Sequence, residues 1–234
     1  MNDIFSRQIA LTGREAFDKL QNSTVCVLGA GGVGSYACEG LIRAGIGNLI
    51  IMDSDVVSAS NINRQIIATV TTIGKPKVEL IKKRALEINP DINVIARKVH
   101  IDETNISEMS ENIDYVADAI DTISSKICVA AHCFNNNIPL ICALGTGNKL
   151  GYEFKVCDLY QTHTDPIAKV MRKELKNRGV NKLKVVFSEE QSKNTVFAEN
   201  GRNAPASISY PPGICGLVMA GEIIRDILGI SVEC

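Results

Sequence analysis

The residues most suited to chemistry begin in Val25-Cys26-Val27-Leu28-Gly29-Ala30-Gly31-Gly32-Val33-Gly34, an apolar run that passes into a glycine turn and then a segment of helical period. Glycines allow a tight turn and let the backbone approach a phosphate, while the unpaired N–H groups at the following helix start point at an anion. Nineteen residues beyond Gly34, Asp53 ends the next apolar run, placed to accept the hydroxyls of a ribose. By spacing alone, Gly29, Gly31, Gly32, Gly34 and Asp53 indicate an adenine nucleotide and do not separate NAD from ATP.

The cluster that follows bears on that choice. Asp53-Ser54-Asp55 leads into Ser60-Asn61-Ile62-Asn63-Arg64-Gln65, and Gly74-Lys75-Pro76-Lys77 opens the next helical segment. Hydride transfer has no use for Arg and Lys beside the ribose acid. Attack on the α-phosphate of ATP does, because charge builds on the phosphorus oxygens and on departing pyrophosphate. A guanidinium fork and an ammonium point charge both answer such charge. Asp121, in Ala117-Asp118-Ala119-Ile120-Asp121, falls where ligands meet an open parallel sheet, and a carboxylate there suits Mg2+ bridging a triphosphate.

Short apolar runs must carry these groups. They are Thr24–Leu28, Leu49–Met52, Val94–Val99, Tyr115–Ile120 and Leu140–Ala143, alternating with helical segments at Val33–Ala44, Pro76–Asn89 and Ser124–Asn136. That alternation predicts an α/β fold, a Rossmann-like, mostly parallel sheet with helices on both faces. Pro76 is expected in the first helical turn, and Asn89-Pro90 stops that helix. Beyond residue 150 the pattern predicts strands at Phe154–Leu159 and Leu183–Ser188, a basic helix at Pro166–Asn177, a polar loop over 188–206, and a last helix opening at Pro211-Pro212-Gly213. We expect one domain, with residues 1–160 as the ATP-binding core and 161–234 as an extension of the same sheet.

The 234 residues suffice for a sizeable core, and 45% hydrophobic with 22% charged residues excludes a disordered chain. The eight cysteines form no C-x-x-C pair, so no structural zinc is expected, and their place in apolar runs fits a reducing, cytoplasmic setting. Met1–Ala10 has no long apolar core, which argues against a secretory signal. Ile214–Ile230 carries Glu222, Arg225 and Asp226 and reads as a packed helix, with no membrane partner.

Together, Gly29 to Gly34, Asp53-x-Asp55, Ser60 to Gln65, Lys75-Pro76-Lys77 and Asp121 resemble the adenylating family of ubiquitin-activating, E1-like enzymes. Phe5-Ser6-Arg7-Gln8-Ile9 is similar to that family's N-terminal arm. The resemblance implies that Asp53 holds the ribose, that Asn61, Arg64 and Lys77 hold the phosphates, and that Asp55 and Gln65 line the same ATP site. It further implies Mg2+ on Asp121, and a homodimer in which Arg7 reaches the partner protomer's ATP. Two family features are missing: the paired zinc cysteines of the sulfur-carrier activators and an evident acyl-accepting cysteine. Cys215, near a helix start, is the best thiol candidate, although packing of a small residue explains it better; Cys234 is incidental.

The net charge of -1 conceals an uneven distribution. From Lys169 to Lys184 there are seven basic residues (Lys169, Arg172, Lys173, Lys176, Arg178, Lys182 and Lys184) against Glu174, so sixteen residues carry +6 and the remainder -7. A basic helix beside an ATP site suits a docked polyanion, and a solvated face is the alternative. With Asp165-Pro166-Ile167-Ala168-Lys169 and Lys184-Val185-Val186-Phe187-Ser188, the chain resembles the family's tRNA threonylcarbamoyladenosine dehydratase branch. The implied substrate is tRNA carrying threonylcarbamoyladenosine, docked on Lys169, Arg172, Lys173, Lys176 and Arg178, with a sulfur-transfer protein as a further candidate partner. Activation of a ubiquitin-like carrier, NAD-dependent oxidoreduction and non-catalytic RNA binding remain the rival functions.

Overall fold

The computed structural model describes residues 4–109, 112–193, 195–199 and 202–230; Cys234 lies outside them. Two short helices, α1 (Ser6–Thr12) and α2 (Arg14–Gln21), precede the parallel strands β1 (Thr24–Leu28), β2 (Asn48–Met52), β3 (Asn93–Arg97), β4 (Tyr115–Asp118) and β5 (Leu140–Ala143). Helices α3 (Gly32–Arg43), α4 (Lys77–Ile88) and α5 (Ile123–Asn135) are the crossovers β1–β2, β2–β3 and β4–β5. The chain continues through β6 (Lys155–Asp158), α6 (Pro166–Asn177), β7 (Lys184–Phe187), β8 (Val196–Glu199), β9 (Arg202–Pro205) and α7 (Tyr210–Leu228).

Seven strands form one sheet in the order β3-β2-β1-β4-β5-β7-β6. All neighbours are parallel except β6, which runs antiparallel to β7 along the edge. The central strands are buried on both faces, which is why their sequences read as unbroken apolar runs. Val25, Val27, Leu49, Ile51, Ala117 and Ile141 pack with α3, α4 and α7. Cys26, Leu28, Ile50, Met52 and Val116 pack with Cys128, Val129 and Cys133 of α5 on the other face. Farther along that face, Cys142, Val185 and Phe187 meet Ala168, Met171 and Leu175, the apolar stripe of α6.

Two expectations are corrected. Pro76 is not in the first turn of α4; its φ of -59° and ψ of 130° make it the residue before the helix, which starts at Lys77. The 188–206 segment is not all loop, since β8 and β9 pair as an antiparallel hairpin. The Arg7 segment is helical, as α1.

Chain order along the sheet reverses between β1 and β4, and ligands of open α/β sheets bind in the crevice outside the strand ends at such a point. The register places Leu28 beside both Met52 and Asp118. Residues following these three therefore share one rim.

Candidate functional site

At that rim the glycine turn is held by Asp53. Gly29, with φ at +87°, donates its N–H to the Met52 carbonyl at 2.9 Å. Asp53 Oδ2 accepts the Ala30 N–H at 2.6 Å, and Oδ1 accepts the Asp55 N–H at 2.7 Å. A carboxylate has about four acceptor positions, so Asp53 can organise the turn and still receive ribose hydroxyls. The glycines serve different ends. A Cβ on Gly34 would overlap the Gly29 carbonyl oxygen, and one on Gly29 would lie 2.7 Å from the Ala119 carbonyl. One on Gly32 would lie 2.9 Å from Pro212 Cβ, whereas at Gly31 the nearest atom is Gln65 Nε2, 4.0 Å away. Gly31 thus faces open space at the start of α3, whose first turn contains no acidic residue. Free N–H groups and the helix dipole make this an anion seat.

The 60–65 segment borders that seat. Asn61 is buried and its Oδ1 accepts the Ser58 N–H at 3.1 Å, while Arg64 donates to the Ser60 carbonyl at 2.8 Å and to Asn63 Oδ1 at 3.0 Å. Arg64 Cγ would lie 3.5 Å from a Cβ on Gly32, so its stem runs beside the start of α3. Gln65 is buried and its Oε1 has no hydrogen-bond partner among the described residues. A buried unpaired amide oxygen is costly, and a ligand in the adjoining cradle could relieve it. Lys77, also buried, donates to Asp55 Oδ2 at 2.8 Å. The structure therefore gathers Gly29, Gly31, Gly32, Gly34, Asp53, Asn61, Arg64 and Gln65 around one opening, with Lys77 linked to it through Asp55.

Asp121 lies just past β4 and is exposed, its Oδ1 receiving the Thr122 hydroxyl at 3.3 Å. It does not cap α5, whose N-cap is Thr122. Sequence reasoning missed what shapes this turn. Asp118, fully buried, accepts from Lys126 Nζ at 3.0 Å and, through Oδ1, from the Ile120 N–H at 3.0 Å. Burial opposes the Lys126 ammonium, yet Asp118 beside it holds Lys126 above the ordinary lysine range. The pair fixes Ala119 and Ile120 against Gly29, and so the direction in which Asp121 leaves the sheet.

The remaining expected residues separate. On α6, Lys169, Lys173 and Lys176 are exposed at i, i+4 and i+7, one face of the helix. Arg172 turns back to the Thr162 carbonyl at 2.9 Å, and Arg178 pairs with Glu103 at 3.3 Å. Cys215 is completely buried, and burial pushes its thiol up to about 12 in spite of Lys126 and Lys149 nearby. It is a packing residue, not an exposed nucleophile. Arg7 is exposed on α1 and forms no ion pair among the described residues. No three His, Cys, Asp or Glu side chains among the described residues converge as a metal cluster. No helix of the described residues is long and apolar enough to cross a membrane.

A glycine cradle at the sheet's switch point, with Asp53 and the Asn–Arg–Gln segment around it, is matched along the chain by the ThiF family profile, which covers residues 5–233. The chain belongs to the ThiF family. Among ThiF relatives, tRNA threonylcarbamoyladenosine dehydratase of Bacillus subtilis (strain 168) is 41% identical over 96% of this chain and 94% of its own length. The Escherichia coli (strain K12) protein of the same name is 37% identical over 74% of this chain and 65% of its own length. The crystal structure of E. coli tRNA N6-threonylcarbamoyladenosine dehydratase in complex with ATP superposes with a TM-score of 0.89 at 31% identity, covering 96% of this chain and 93% of that one. The ThiF fold of this chain is therefore that of a protein whose structure holds ATP.

Proposed function

We propose that this chain is an ATP-dependent tRNA threonylcarbamoyladenosine dehydratase, which adenylates the threonine carboxylate of N6-threonylcarbamoyladenosine at position 37 and closes it into a ring. The observation that carries this is the open cradle at Gly31, roofed by Arg64 and footed by Asp53, in a chain similar end to end to the B. subtilis enzyme. The substrate carboxylate oxygen attacks the α-phosphorus and the bond to pyrophosphate breaks. Asn61, Arg64 and Lys77 stabilise the charge on the phosphate oxygens and the departing pyrophosphate, with Asp55 aiming Lys77. The carbamoyl group then attacks the acyl carbon, AMP leaves with the bonding electrons, and the carbamoyl N–H proton passes to solvent. Because nucleophile and acyl carbon belong to one side chain, effective molarities on the order of 10^5 M or more replace an enzyme thiol. That accords with the buried Cys215.

Mg2+ held by Asp121 and phosphate oxygens would neutralise triphosphate charge; Mg2+ keeps most of its waters and needs only one or two carboxylates. We assign residues 1–160 to ATP binding and 161–234 to tRNA contact and dimerisation, in a reducing cytoplasmic setting consistent with the unpaired described cysteines. The direct test mixes the protein with ATP, Mg2+ and threonylcarbamoylated tRNA, then digests and weighs the nucleosides. Loss of the mass of one water is expected. An unchanged nucleoside mass, with pyrophosphate exchange stimulated by a ubiquitin-like carrier, would replace the reading with carrier activation.

Two consequences follow for binding and assembly. Changing Lys169, Lys173 and Lys176 together to Gln removes up to three phosphate contacts, which flattens the slope of log affinity against log salt by about 2 to 3. ATP binding should be untouched, and an unaltered salt slope would remove α6 as the docking face. In the homodimer, Arg7 acts on the partner protomer's ATP. Arg7→Ala and Arg64→Ala proteins, each inactive alone, should regain part of the activity when mixed, since one site of each heterodimer is intact. Absence of recovery in demonstrated heterodimers would place Arg7 outside the site.

A further inference from the structure

The mechanism leaves one buried cation without a task. Lys149 lies in the loop after β5, and its side chain is 1% exposed. Its Nζ donates to the Ser188 carbonyl, the residue directly after β7, at 3.1 Å. The same nitrogen is 3.8 Å from Asp165 Oδ2, whose side chain is also 1% exposed. The other oxygen of that carboxylate, Oδ1, caps α6 by accepting the N–H groups of Ile167 at 2.8 Å and Ala168 at 3.0 Å. A Cβ on Gly145, two residues past β5, would already be 3.4 Å from Asp165 Oδ2, so the helix start and the loop after β5 are in near contact.

One ammonium thus joins the ends of two neighbouring parallel strands to the first turn of the basic helix. Burial pushes Lys149 below the ordinary lysine range, with Asp165 acting against that shift. Stability alone does not call for an ammonium here, because well-packed apolar side chains usually serve a core as well as a buried ion pair. What the pair adds is direction. Asp165 is held by a cation on one oxygen and two helix amides on the other, which fixes where α6 starts and how its lysine face is turned relative to the strand ends that carry the nucleotide site.

We propose that Lys149, acting through Asp165, is a positioning residue for the second substrate: it locks α6 to the strand ends so that a phosphate backbone on Lys169, Lys173 and Lys176 delivers its reacting nucleoside to the adenylating site. The proposal rests on the tRNA reading above. It places Lys149 outside contact with substrate and gives it an effect on the rate within the bound complex.

The experiment compares Lys149→Met, Lys149→Arg and Asp165→Asn with wild type in single-turnover cyclisation of modified tRNA at saturating ATP and tRNA. Asparagine keeps the helix cap and removes the charge. Lys149→Met and Asp165→Asn should keep the thermal shift with ATP and nearly the same tRNA affinity, while the rate in the saturated complex falls about 10-fold or more, as displacement of a reacting group does. Lys149→Arg should restore most of the rate. A wild-type rate in Lys149→Met overturns the proposal. So does a fall in ATP binding and rate together that Lys149→Arg leaves uncorrected, because that pattern marks a general scaffold defect. Hydrogen exchange at the first-turn amides of α6 is read on the same proteins without tRNA. Faster exchange in Lys149→Met supports the lock and unchanged exchange overturns it, even if wild type proves inactive on tRNA and the functional reading itself fails.

Discussion

Gly34→Ala is expected to abolish useful ATP binding. The added methyl would overlap the Gly29 carbonyl oxygen, approach the Gly29 carbonyl carbon to 2.9 Å and lie 3.2 Å from Ala119 Cβ. The first obstruction is backbone, so no rotamer change relieves it, and α3 must shift away from the turn that Asp53 holds. Displacement of about 1 Å at a reacting site costs on the order of 100-fold in rate. Overpacking costs a further 1–3 kcal/mol or so in stability, and about 2–4 °C of Tm accompanies each kcal/mol in a domain of this size. Gly221→Ala is the matched control. Gly221 is inside α7, nothing lies within 4 Å of its added Cβ, and its φ is ordinary. Alanine there should stabilise by about 0.5–1 kcal/mol on helix propensity. Isothermal titration with ATP and thermal melts check both, and tight ATP binding by Gly34→Ala would refute the role given to this turn.

Lys126→Met should produce the largest loss of stability. It strands the Asp118 carboxylate, which is fully buried and loses its 3.0 Å cation. Removing one partner of a buried pair costs about 3–5 kcal/mol, and a fall in Tm on the order of 10 °C follows. The double variant Asp118→Asn/Lys126→Met should recover a substantial part, since no uncompensated charge remains. The loss should not stop at stability. Asp118 also holds the Ile120 N–H at 3.0 Å, so the path to Asp121 is released. Pyrophosphate formation measured well below the Tm of each variant separates the two effects. An unchanged Tm in Lys126→Met would contradict the pairing seen here.

The elements of the proposed nucleotide site were legible because their signals are local. A glycine turn, the acid at the end of the next strand and the Asn61 to Gln65 segment are recognisable by type and spacing, and β1, β5 and α6 fall at the residues expected. Two of the three lysines buried among the described residues, Lys126 and Lys149, were not. Lys126 sits ahead of Ile127-Cys128-Val129-Ala130 in a helix whose sequence cannot say that Asp118, eight residues earlier, will lie beneath it. Lys149 meets partners 16 and 39 residues away. Direction was also invisible: charge counting put Arg172 and Arg178 with the lysines of α6, while the fold turns one to Thr162 and pairs the other with Glu103. The hairpin β8–β9 read as a loop because its polar composition hides strand pairing, which depends on the partner strand.

The burial of the thiols has a consequence for how the protein meets oxidants. Cys26, Cys133 and Cys215 are pushed up to about 12 by burial, and Cys38, Cys128, Cys142 and Cys157 are also raised. At a pKa near 12, about one such thiol in 10^5 is a thiolate at neutral pH, and the thiolate is the nucleophile that attacks peroxides and disulfides. Among the described residues six of the seven cysteines are buried and Cys157 is partly exposed. With those thiols buried, the chain is expected to lose activity to peroxide more slowly than an enzyme that depends on an exposed catalytic cysteine, which activity measured after graded peroxide treatment checks.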